Sequence, residues 1–164
     1  MRTTTRVSAV VAALLTLGAL PAKAQSANIN AVANVFQAIT VTGAQTLDFG
    51  NVFPGVNKTI LATAGTAGRF DLAGQISAPV QVAFALPTNL TSGANNLAIA
   101  TWTGCTSPTT SSAGCTAFTP SGTATTTAFS GAGALSVFVG ATVSPTPTQA
   151  SGAYTGIVTL TANY

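Results

Sequence analysis

Between Ala78 and Leu86 the chain alternates one residue at a time. Val80, Val82, Phe84 and Leu86 share one parity, Gln81, Ala83 and Ala85 take the other, and Pro87 ends the run. A period of two marks a half-buried strand, because successive side chains of extended backbone point to opposite sides. The pattern returns at Leu135, Val137, Val139, Ala141 and Val143, which Pro145 and Pro147 stop. It returns again after Gly152, where Tyr154, Val158, Leu160, Ala162 and Tyr164 lie opposite Thr155, Thr159, Thr161 and Asn163, with Ile157 as the exception. Shorter runs are expected at Leu47–Phe53 (ending in the Pro54-Gly55 turn), Thr59–Thr63, Arg69–Leu72 and Leu97–Thr101. No window of helical length carries a 3.6-residue period. Many short alternating strands predict an all-β sandwich or barrel.

The first of these segments, Asn28 to Val41, is extended and mixed. Ile29, Ala31, Ala33 and Val35 alternate with Asn28, Asn30, Val32 and Asn34. The phase slips near Phe36-Gln37, where a bulge or bend is expected, and Ile39 and Val41 resume it before Gly43.

Ahead of this lies an export signal. Arg2 and Arg6 form a positive start, Val7 to Leu20 is almost wholly apolar, and Pro21-Ala22-Lys23-Ala24 ends in a small-x-small cleavage pattern. The apolar run is too short for a spanning helix, which needs about 20 residues. Residues 1–24 are therefore expected to be a signal peptide cut after Ala24, and removing 24 of the 164 residues leaves a single domain of 140.

Cleavage also removes the net charge. The formal +3 loses Arg2, Arg6 and Lys23, and the remaining Lys58 and Arg69 balance Asp48 and Asp71. A neutral domain lacks the basic footprint of a nucleic-acid binder and the polybasic patch of a membrane-surface protein. After signal removal no integral membrane segment is expected.

Cys105 and Cys115 are the two cysteines. In an exported chain a close, even pair reads as a disulfide, here closing a loop through Ser107-Pro108 and Ala113-Gly114. A metal site would need further ligands, and the chain has no His, no Glu and two distant Asp. The same shortage bears on catalysis. Without His and Glu no Ser-His-Asp or Cys-His site can be assembled. Asp48 and Asp71 each lie between large apolar neighbours, which suits a surface ion pair or loop hydrogen bond. No catalytic residue, cofactor or metal ligand is expected. Gly131-Ala132-Gly133 lacks the lysine and helix of a phosphate loop. Asn57-Lys58-Thr59 and Asn89-Leu90-Thr91 match a glycosylation sequon that chance supplies in so Asn- and Thr-rich a chain. Trp102, beside the cysteine loop, suits either core packing over the disulfide or stacking on a sugar.

Three stretches carry a resemblance. Leu47-Asp48-Phe49-Gly50-Asn51-Val52-Phe53-Pro54-Gly55 is similar to the L-x-F-G-x-x-x-P-G segment of exported, pilin-like domains grouped as domain-of-unknown-function family 4402. Ala83-Phe84-Ala85-Leu86-Pro87 resembles that family's central strand, and Gly140 followed by Gly152 to Tyr164 resembles its C-terminal strand. The last stretch also resembles the terminal strand of chaperone–usher and spore-coat-U-like fimbrial subunits, with Gly152 and the aromatic Tyr164 twelve residues apart. It departs from them in that Tyr164 is the final residue, and the disulfide lies mid-chain.

The resemblance implies an immunoglobulin-like, pilin-like sandwich of about eight to ten mainly antiparallel strands. It also implies a non-enzymatic protein of the bacterial surface, reaching the periplasm, outer-membrane surface or exterior of a Gram-negative cell. Such subunits assemble by strand addition. The expected donor is Gln25 to Val35, carrying Ile29, Ala31, Ala33 and Val35; an ordinary strand paired within its own sheet is the other reading. The implied assembly strand holds Gly152, Tyr154, Val158, Leu160 and Tyr164. Self-association, other envelope subunits and a periplasmic chaperone are the implied partners. The alternative function is a monomeric module that binds a carbohydrate or protein, resting on Trp102.

Overall fold

Thr, Val and Ala dominate the segments that pair, residues that suit extended backbone hydrogen-bonded between strands, and Gly or Pro bounds several of them, as at both ends of β3 and β9. The computed structural model describes residues 25–164; the expected signal peptide and its cleavage point lie outside the described residues. Residues 35–164 form one unit, with residues 25–34 outside it.

Ten strands are present among the described residues, with no helix: β1 (Thr40–Gln45), β2 (Lys58–Ile60), β3 (Gly68–Ala73), β4 (Pro79–Ala85), β5 (Asn89–Ser92), β6 (Asn95–Ser107), β7 (Thr116–Phe118), β8 (Thr125–Ala128), β9 (Ala134–Ser144) and β10 (Thr159–Asn163). All pairs are antiparallel and fall into two separate sheets. The fold is therefore a β-sandwich rather than a closed barrel. The larger sheet runs β1-β3-β9-β6-β5, with β2 on β9 and β7 on β6; the smaller runs β10-β4-β8.

β9 is the spine of the larger sheet. Its first half pairs with β3 and its second half with β2, while β6 runs along its other edge. Both faces of β9 are covered, so Ser136, Phe138 and Gly140 are buried along with the predicted Leu135, Val137, Val139, Ala141 and Val143. On the outer face the chain after β2 crosses over Gly140. A methyl group there would lie 2.6 Å from the Ala62 nitrogen and strike the Ile60 carbonyl, so this crossing requires glycine.

The main core lies between the sheets, where Val80, Val82 and Phe84 of β4 and Leu160 of β10 meet Leu72, Leu135, Val137, Val139 and Phe129. A second cluster sits on the other half of the larger sheet: Phe49, Leu97, Ile99, Ala141 and Val143. It contains no residue of β4, β8 or β10; Leu47, Val52, Leu90, Trp102 and Tyr154 close around it instead. The third cluster joins Ala62, Phe138 and Cys105 on the outer face.

Three expectations change. Leu47–Phe53 is not a strand: Asp48 Oδ1 accepts the Gly50 amide at 2.7 Å and Gly50 takes a φ of +56°, which curls the chain locally. The strand at Leu97 does not stop before Trp102 but runs on to Ser107 through a bulge, where Thr101 has a φ of +51°. The extra residue reverses the alternation, so Trp102 joins Leu97 and Ile99 while Cys105 faces the outer cluster. Near the N-terminus, pairing begins only at Thr40, and the irregularity falls between Gly43 and Gln45 rather than at Phe36-Gln37.

Candidate functional site

A cleft of about 930 Å³ opens over the second core cluster. Phe70, Leu97, Ile99, Val139 and Val143 lie at its base, all supplied by the larger sheet. One wall is residues 45–54, which include the expected strand Leu47–Phe53; the other is residues 149–158. Two exposed apolar side chains also line it, Phe53 at 68% and Ile157 at 82% of full exposure. Asp48 is the one charged residue among those lining it. The cleft exists because the small sheet has three strands and leaves half of the larger sheet to loops.

The C-terminal segment builds one wall and then the small sheet. Thr155 exchanges both backbone hydrogen bonds with Thr91 of β5, at 2.8 and 3.0 Å. Four residues on, Thr159 pairs with Ala85 of β4, so the segment passes from the edge of one sheet to the edge of the other. Tyr154 is held by Gln149, whose Nε2 donates to the phenol oxygen at 2.7 Å, and the phenol donates to the Ala150 carbonyl at 2.8 Å. Gly152 lies against Ser92, where a methyl group would come within 2.6 Å of its hydroxyl. Val158 is half-buried and Leu160 buried in the main core.

Tyr164 follows β10 at the opposite end from the cleft. Its phenol donates to the Gln37 carbonyl at 2.6 Å and accepts the Gln75 amide at 2.7 Å. Its ring lies 5.2 Å from Phe36 and 6.2 Å from Phe129, centroid to centroid. The chain is thus pinned at Phe36-Gln37, three residues before β1. Upstream of it, residues 25–35 belong to no strand, and Ile29, Val32 and Val35 are each more than 90% exposed. Ala31 and Ala33 are exposed as well. The reading in which this segment pairs within its own sheet is not what the structure presents; strand pairing begins at β1.

Cys105 and Cys115 form a disulfide with Cα atoms 5.7 Å apart, bridging β6 to the residue before β7. Such a bond suits an oxidising periplasmic or extracellular setting. Trp102 does not cover it but packs half-buried in the second cluster and lines the cleft. Asp48 serves the Gly50 amide. Asp71 accepts from the Ser136 hydroxyl at 2.8 Å and lies 3.1 Å from Arg69 Nε. That contact is a charge pair without hydrogen-bond geometry, since Nε itself finds no acceptor. The two carboxylates serve different segments and do not form a site. Gly131-Ala132-Gly133 is a tight turn between β8 of one sheet and β9 of the other, closed by Gly133 N to Ser130 O at 2.9 Å. Asn57 and Asn89 are exposed.

Sequence reasoning placed Tyr154, Val158 and Tyr164 on one strand face; the structure divides them between cleft wall and chain anchor. The roles of Phe49, Phe53, Gln149 and Phe36 were missed. Phe49 and Phe53 stood in the quoted L-x-F-G segment, a usable signal, whereas Gln149 and Phe36 carried none. Among the described residues no helix is long and apolar enough to cross a membrane.

No curated protein matches the chain. A family model described as Domain of unknown function (DUF4402) matches residues 39–164, beginning one residue before β1 and spanning the whole sandwich. The chain belongs to the DUF4402 family.

Proposed function

We propose that this is a non-enzymatic structural protein of the bacterial surface, a pilus-type subunit that assembles by β-strand addition. One observation carries the reading: an uncharged, alternating segment, Gln25 to Val35, stands outside every sheet with its apolar residues exposed. Isolated apolar side chains on a surface are ordinary, but an alternating row of them on backbone that pairs with nothing suits a strand that lacks its partner. Strand addition supplies both the missing hydrogen bonds and the missing burial. The expected export signal and the disulfide agree with assembly outside the cytoplasm, and a periplasmic chaperone would guard the exposed segment before assembly. In the fully exported protein, negative-stain microscopy and size analysis should show fibres or ladders of multimers that Ile29→Asp abolishes. A strictly monomeric wild-type protein would refute the subunit reading.

A second reading has its own observation. Trp102 and Tyr154 line one cleft with Asn51 and Gln149, an arrangement of aromatic and amide groups that suits a carbohydrate. Glycan-array binding lost in Trp102→Ala, with the fold intact, would favour a monomeric binding module.

A further inference from the structure

We infer that β1 is a contact edge between copies of this chain, the β1 strands of two copies pairing antiparallel about a two-fold axis at Val41. This contact is separate from the cleft and from strand addition by residues 25–35.

β1 is the last strand on one side of the larger sheet. It pairs with β3 alone, and all six of its residues are exposed. Among the described residues no other backbone hydrogen bond reaches Thr40 to Gln45, so its outer edge presents free N–H and C=O groups. Sheets commonly guard such an edge with lysine, proline, a bulge or mere shortness. β1 holds no proline and no charged residue. Its irregularity falls between Gly43 and Gln45, which leaves Thr40 to Gly43 in regular register. Two other margins are better guarded: β5 is bridged by Thr155, and β8 is only four residues long.

The partner follows from the order of residues along the edge. Val41 lies opposite Leu72 and Thr42 opposite Asp71. Cross-strand partners share a face, so Val41 points to the side on which Leu72 is buried in the main core. Val41 itself remains 41% exposed. In an antiparallel pair centred on Val41, that valine meets its own copy on the inner side. On the outer side Thr40 meets Thr42 of the other copy, and the symmetry repeats the row. Pairs of β-branched residues and of threonines are favourable cross-strand neighbours. An isologous contact of this kind closes after two copies.

Charge does not oppose the pairing. Arg69 and Asp71 lie one strand in from the edge, on β3. Three strand spacings, about 14 Å, would separate them from their counterparts, beyond the screening length of about 8 Å at physiological salt. So short a ladder buries less than the roughly 1,200 Å² of a stable complex, which makes the dimer weak and concentration-dependent.

The test is cysteine pairing in the full exported chain carrying Ile29→Asp, so that strand addition does not contribute. Val41→Cys should give roughly tenfold more disulfide-linked dimer than Leu61→Cys, whose position is also exposed, because pairing raises the local concentration of one thiol at the other. Thr40→Cys and Thr42→Cys proteins should link roughly tenfold more when mixed than either does alone, since the two positions oppose each other only across copies. Peptide mapping verifies that the Cys105–Cys115 bond is intact, and Trp102 fluorescence reports the fold. Val41→Lys, which sets like charges directly opposite, should abolish the weak dimer seen by sedimentation at high concentration. Val41→Cys linking no more than Leu61→Cys would overturn the β1 contact and leave strand addition untouched. Links seen with Ile29 in place and lost in Ile29→Asp protein would make them a product of strand addition and equally overturn it.

Discussion

The Tyr164 phenol donates to the Gln37 carbonyl at 2.6 Å and takes the Gln75 amide at 2.7 Å, so one side chain joins β10, the chain after β3 and the entry to β1. Phe36 and Phe129 flank the ring. Removing the hydroxyl alone keeps both ring contacts but leaves the Gln75 amide unpaired. Tyr164→Phe should therefore lower stability by about 1–2 kcal/mol in urea denaturation. Hydrogen exchange at Gln75 should accelerate in parallel.

Gly140 lies beneath the backbone crossing at Ile60–Ala62, and backbone cannot swing aside as a side chain can. Gly140→Ala should destabilise by about 3 kcal/mol, the upper part of the range for overpacking. Gly65→Ala, where a methyl group meets nothing within 4 Å, is the control and should be near neutral by the same denaturation assay.

The β6 bulge places Thr101, a β-branched residue, at a φ of +51°. Glycine relieves that conformation but loosens the unfolded chain. With strain of about 1–3 kcal/mol against an entropic term of about 0.5–1, Thr101→Gly should stabilise by about 1 kcal/mol. Thermal unfolding followed by Trp102 fluorescence reads both the gain and the integrity of the neighbouring cleft.

The disulfide closes a short loop with a sequence separation of 10, and Cys105 is 2% exposed. Replacing both cysteines by alanine should lower stability by about 3 kcal/mol in the chain-entropy model, measured by urea denaturation. Multimer formation should persist wherever the variant remains folded, because the bond ties β6 to the residue before β7 and lies outside residues 25–35.

Assembly should be nearly insensitive to salt. The segment carries no charged side chain, leaving only its terminal amine for counterions to screen. Multimer distributions by light scattering should agree within twofold across about tenfold changes in ionic strength.

The two-residue alternation determined much of this molecule in advance. Val80, Val82 and Phe84, and Leu135, Val137, Val139, Ala141 and Val143, are buried as their parity predicts, because alternate side chains of extended backbone share one side; the burial of β9 on its other face is not in that pattern. The all-β class follows from the same reading, whereas the disulfide was expected from a close cysteine pair in an exported chain, and the family and the sandwich from the resemblance carried by three stretches. Alternation does not reveal which partner a strand takes, nor where a local hydrogen bond overrides it. Asp48 capping Gly50 turns an expected strand into a cleft wall, and the Thr101 bulge carries Trp102 from the disulfide to that cleft. The cleft is a property of pairing: it depends on β10 joining β4 while residues 149–158 remain beside β5, contacts between positions far apart in the chain. The Tyr164–Gln37 bond spans 127 residues, and no local pattern encodes it. Sequence alone determined which side chains share a face, because side-chain direction is local; tertiary structure decided which faces are covered and where the core stays open, because that depends on which strands meet.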